Sequence, residues 1–190
     1  MNKLKYTIPG QMLLLVKSHL STAVLFLILF LFTFSMTAGT GIGSIIYASV
    51  GILGYFLSIY STAGSYVSCD KMPSSKLSPH PAKGFILPVI LTAVSLVIIL
   101  FYKLAWAYGS NGTSVTEIWS FIANALMLIW VAPYQPFVGL SAGNITTIGY
   151  LIILVLPYIA SGLGYLATYK GFDLSEKVRN IAYEKKNNDK

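Results

Sequence analysis

The chain has 190 residues, 55% of them hydrophobic and 10% charged, with a formal net charge of +7. Soluble domains carry about 25% charged residues, so this composition excludes a water-facing globular surface. The basic residues sit in short flanks of apolar runs, which argues against a nucleic-acid face and for contact with a lipid bilayer and its anionic headgroups.

Apolar runs close to the roughly 20 residues that cross hydrocarbon recur along the chain. They predict an all-α polytopic membrane protein, a single integral membrane domain over residues 1–190. The expectation is four transmembrane helices plus a re-entrant or fifth helix, with interfacial amphipathic helices at both ends.

Residues 1–19 read as an interfacial N-terminal segment. Pro9 suits a first helical turn with Thr7 as its cap. Met12, Leu13 and Val16 supply an apolar face, and Lys3, Lys5 and Lys17 reach for headgroups. His19 falls at the expected water boundary. Lys3 and Lys5 resemble the start of a signal peptide, but the apolar run begins only at Leu20 and is as long as a span, so cleavage is not expected.

Residues 20–36 form the first expected span and 37–41 an uncharged turn. The second span, about 42–63, is rich in small residues. Gly43, Ala48, Gly51 and Gly54 let helices approach closely, with substrate lining as the sharper alternative. The 65–83 loop carries Asp70 and the lysines Lys71, Lys76 and Lys83, and Pro73, Pro79 and Pro81 forbid a regular helix there. Its lysines assign it to the cytoplasm with the N-terminus, either as a connector or as the docking site of a protein partner. Cys69 is the only cysteine, so an intrachain disulfide is excluded and an exposed thiol is expected. His80 has no second ligand at a metal-binding spacing, and neither a metal nor a cofactor is expected.

The third span covers 85–106, with Pro88 in its first turn and Lys103 snorkelling among Tyr102, Trp106 and Tyr108. Residues 109–113 form a short outer turn. Asn111 and Asn144 each begin an Asn-x-Thr glycosylation pattern, a match common by chance.

The segment 114–144 is the ambiguous one. Ser114 and Glu117 form a capping box that starts a helix. Apolar residues continue to Ala132, Pro133 and Pro136 break the run, and residues 141–144 form a turn. The last span, 145–169, contains Pro157, which predicts a kink, and Ala160 and Gly164, which predict a packing face. Residues 172–186 follow as a basic amphipathic helix with Leu174, Val178 and Ile181 on its apolar stripe.

Five complete crossings put the two lysine-rich ends on opposite sides of the membrane. Both ends fit the cytoplasm if 114–144 is re-entrant or a broken helix that enters and leaves on the outer side. Five ordinary spans are the competing reading, with the proline corner at the inner end of the fourth.

No metalloprotease, nucleophile-elbow or phosphate-loop motif occurs, and no paired carboxylates, so an enzyme is not expected. Asn124, Pro133 and Gln135 are the candidate solute-lining group, with structural pairing of Asn124 as the plain alternative. The functional expectation is a small transport or permease-type protein, or a membrane subunit of a larger complex. The alternative is a membrane interaction, assembly or immunity protein without transport activity. Nothing in the sequence sets the oligomeric state.

Overall fold

A computed structural model describes residues 7–37, 41–72, 75, 77–109 and 114–172, without the side chains of 33–37, 41 and 114–116. The described residues form helices in the order α1 (Ile8–Thr37), α2 (Gly41–Asp70), α3 (Lys83–Ile86), α4 (Val89–Gly109), α5 (Ser114–Val131), α6 (Gln135–Val138) and α7 (Thr147–Tyr169). A 3-10 turn, Ala132–Tyr134, joins α5 to α6. Five helical stretches among these residues are long and apolar enough to cross a membrane: Ile8–Phe32, Ile42–Asp70, Lys83–Gly109, Glu117–Val138 and Thr147–Tyr169. Large apolar side chains face outward from all five, Phe32, Leu53, Val97, Phe121 and Ile148 among them. Such a surface suits hydrocarbon and not water.

The first helix differs from the expectation of a separate interfacial segment at 1–19 followed by a span at 20–36. Ile8–Thr37 is one continuous helix. Thr7 caps it, its Oγ1 accepting from the Gly10 N–H at 3.2 Å. Gln11, Leu15, His19, Thr22, Ala23 and Phe26 form an unbroken buried stripe at helical spacing, with Lys17 on the opposite, exposed side. His19 is therefore not at a water boundary; it is 2% exposed. The inward periodicity decides the helix, and its polar members Gln11, His19 and Thr22 did not interrupt it.

The expected 65–83 loop is shorter than its polar composition indicated. Helix α2 runs on to Asp70, and Lys83 already belongs to α3. Residues 65–70 contain no proline, and Val67 and Asp70 continue the buried stripe of Tyr55, Ile59 and Ala63. The Cys69 thiol is consequently buried, not exposed. The third expected span begins with α3, turns at Leu87 and Pro88, and continues as α4. Lys103 is exposed, with its ammonium 5.3 Å from the centre of the Tyr150 ring. Residues 110–113 and the expected C-terminal helix lie outside the described residues.

The helices are drawn together by small residues. Gly164 of α7 meets the backbone of Tyr60, Gly64 of α2 faces Thr168, and Gly51 meets the carbonyl of Pro133. Ala48 and Ala160 are fully buried, Gly43 is half-buried, and Gly54 packs under the ring of Phe26. Helix α7 continues through Pro157.

Candidate functional site

Helix α5 carries the polar candidates on one face. Glu117, Ser120, Phe121 and Asn124 recur at three- and four-residue spacing, so they line up along one side of the helix. With Trp106 and Gly109 of α4 and Ala142 they line a cavity of about 590 Å³. Ser120 fixes the wall, its hydroxyl donating to the Ala105 carbonyl at 3.0 Å. The Trp106 indole N–H is buried and has no acceptor among the described residues. Glu117 is exposed and Asn124 half-buried. The wall thus offers an amide, a carboxylate, a hydroxyl and two aromatic rings, groups chemically able to form hydrogen bonds and cation–π contacts.

The turn on the far side of the cavity is held by backbone geometry. Gly143 has φ of 83° and Ala142 φ of 42°, and a side chain at 143 would strike Trp106. The Gly143 N–H donates to the Tyr102 hydroxyl at 3.3 Å. Glycine answers both demands, a left-handed conformation and a close approach.

Along α5 away from the cavity, the helix becomes apolar and packed. Ala123, Met127 and Trp130 are buried in the core. The Trp130 indole N–H donates to Ser95 at 2.9 Å, and its ring lies 4.0 Å from the imidazole of His19. His19 Nδ1 pairs with the Tyr55 hydroxyl at 3.1 Å, and the Tyr55 and Tyr134 rings meet edge to face at 5.5 Å. Pro133 is buried with its carbonyl against Gly51, and the Tyr47 hydroxyl lies 3.0 Å from the Ala132 carbonyl. Of the three sequence candidates, only Asn124 lines the cavity. Pro133 sits in the packed turn and Gln135 is half-buried in α6, and neither contributes to that wall. Trp119 is exposed and meets Phe101 edge to face.

A second polar centre lies at the other end of the molecule. Asp70 accepts from Lys83 Nζ at 2.6 Å, from the Tyr165 hydroxyl at 2.8 Å and from the Gln11 amide at 2.9 Å. Four helices, α1, α2, α3 and α7, meet at one buried carboxylate. Sequence reasoning treated Asp70 and Lys83 as loop residues and gave Gln11 and Tyr165 no role. The available signal was that Asp70 is the only acidic residue before Glu117. A lone carboxylate at the edge of an apolar run must find donors. Among the described residues no three of His, Cys, Asp or Glu come together as a metal group would require.

Comparison with protein families, with curated proteins and with solved structures found no match for this chain.

Proposed function

We propose that the chain is a non-enzymatic, multi-pass membrane protein of the transport or permease type, or the membrane subunit of a larger complex. In this reading the 114–144 segment is re-entrant and Asn124 lines a vestibule for a small polar or cationic solute. The observation that carries it is the path of the segment. Ser120 near its start bonds to Ala105, and Gly143 near its end bonds to Tyr102, both in the last turns of α4. The turn between them packs on Gly51 and Tyr55, midway along α2. Both limbs thus return to one end of α4. Length and composition alone make Glu117–Val138 a fifth candidate crossing, but its regular helix stops at Val131. Irregular backbone at membrane depth is tolerated where protein covers it, and Tyr47 supplies such cover at Ala132. Four crossings place both lysine-rich ends on one face, which the positive-inside rule makes cytoplasmic.

A second reading has its own support. The packed Ala123, Met127 and Trp130 beside the cavity favour a blind pocket, as in an interaction, assembly or immunity protein. Its partner would meet the cytoplasmic connection at residues 71–82.

Single cysteines in a Cys69→Ser background test both parts with a membrane-impermeant maleimide. The re-entrant path expects Ser141→Cys and Lys71→Cys to react from opposite sides; reaction from the same side overturns it. Transport expects Gln135→Cys as well as Asn124→Cys to react. Protection of Gln135→Cys from both sides, with Asn124→Cys reactive, selects the blind pocket.

A further inference from the structure

Helices α1 and α2 enclose a groove of about 430 Å³ on the lysine-rich half of the molecule, away from the Asn124 cavity. Its walls are Leu14, Lys17, Ser18 and Ser21 from α1, and Ser58, Ser61, Thr62, Ser65 and Tyr66 from α2. So many hydroxyls on an outward face are unexpected in hydrocarbon, where an unmet hydroxyl costs free energy. The groove floor meets its own needs. Ser18 lies 3.1 Å from Ser58 and 2.9 Å from Thr62, and Thr22 donates to Ser58 at 2.8 Å. The rim does not, since Ser21 and Ser61 have no hydrogen bond from their hydroxyls among the described residues.

Two further observations point to a ligand. Tyr66 is 1% exposed and lines the groove, and its buried hydroxyl has no hydrogen-bond partner among the described residues. Lys17 is exposed in the same wall, and the carboxylates of the described residues do not neutralise it. Those are Asp70, already paired with Lys83, and Glu117, in the Asn124 cavity. Among the described residues the groove therefore combines one cation without a carboxylate partner and several unmet hydroxyls, the complement of a phosphate oxygen set.

Its depth selects the source of the phosphate. Lys17 is the one Lys, Arg, Asp or Glu among residues 8–32 of α1, and a lysine on an outward helix face carries its ammonium to the headgroup level. The groove that Lys17 lines is therefore assigned to the headgroup boundary. We propose that the α1–α2 groove binds the phosphate headgroup of an anionic phospholipid, with Lys17 as its counter-charge and Ser21, Ser61 and Tyr66 as hydroxyl donors. Basic grooves between helices at this boundary are suited to anionic headgroups.

The test uses the full chain purified in a neutral detergent, titrated with dioctanoyl phosphatidylglycerol, dioctanoyl phosphatidylcholine or inorganic phosphate while thermal unfolding is followed. The expected result is saturable stabilisation by phosphatidylglycerol, at concentrations where the other two have no effect. Lys17→Gln and Tyr66→Phe should each weaken it, the former about fivefold or more, while Lys103→Gln leaves it unchanged. Both substitutions remove groups without a partner among the described residues, so the variants are expected to fold. Equal stabilisation by phosphatidylcholine overturns the headgroup site, and stabilisation by inorganic phosphate alone overturns its assignment to lipid. An unchanged affinity in Lys17→Gln overturns the role of the groove.

Discussion

At the scale of single residues, the decisive contacts are those that leave no room and those that leave no water. Gly51 is the clearest of the first kind, because a methyl group there meets the Pro133 backbone, which cannot rotate away as a side chain can. Gly51→Ala is expected to destabilise the protein by about 1–3 kcal/mol, the usual penalty of overpacking. Gly54→Ala meets only the tip of the Phe26 ring. Since alanine favours helix by up to about 1 kcal/mol, that variant should stay near wild type. Thermal unfolding in detergent checks the pair, and equal losses would refute the backbone argument. Asp70 represents the second kind. Lys83→Met leaves a buried carboxylate with only neutral donors, expected to cost about 3–5 kcal/mol. The double variant Asp70→Asn, Lys83→Met should recover part of that loss in the same assay, and no recovery would mean that the two side chains are not coupled. These contacts were the least legible part of the sequence. Asp70 and Lys83 stand among prolines and serines in a polar run, and nothing local pairs them with Gln11 or with Tyr165, 95 residues away. His19 was misplaced for a related reason. A titratable residue beside Lys17 reads as a boundary until Tyr55 and Trp130 supply its surroundings.

At the scale of elements, signals from a few adjacent residues carried most of the fold. Thr7 was readable as a cap, and the prolines at 133 and 136 were readable as a break. The break takes the form of a 3-10 turn and a short α6 ending at Gly139 with φ of 60°. The end of α2 was misread, because polarity was taken as loop where the absence of proline and an inward stripe favoured helix. The joint between α6 and α7 rests on one threonine. Thr146 accepts from the Gly149 N–H at 3.1 Å and donates to the Val138 carbonyl at 2.9 Å. Thr146→Ala is expected to cost about 1 kcal/mol, as cap removal does, whereas Thr146→Ser retains both bonds. The difference in unfolding temperature between these variants measures the joint. A serine variant as weak as alanine would show that the methyl group, not the hydroxyl, matters there.

At the scale of the whole molecule, the arrangement of the long helices decides which groups reagents can reach. Cys69, 8% exposed at the C-terminal end of α2, should resist maleimide in the native protein and react on unfolding. Rapid native labelling would place it in an open loop instead. Asn124 illustrates the limit of sequence at this scale. Its position on α5 was legible, but the company it keeps depends on how 114–144 packs against α4. The Asp70 centre also has a consequence for biosynthesis. The Tyr165 hydroxyl and the Gly164 surface that complete the bundle leave the ribosome after every other described helix. Until then Asp70 lacks one donor and the Tyr60 face of α2 lacks its cover. A nascent chain halted before Gly164 is expected to be far more protease-sensitive than one released past Tyr169, as pulse-labelled digestion would reveal. Quality-control proteases would thereby have a built-in means of telling a chain that lacks α7 from one that has it.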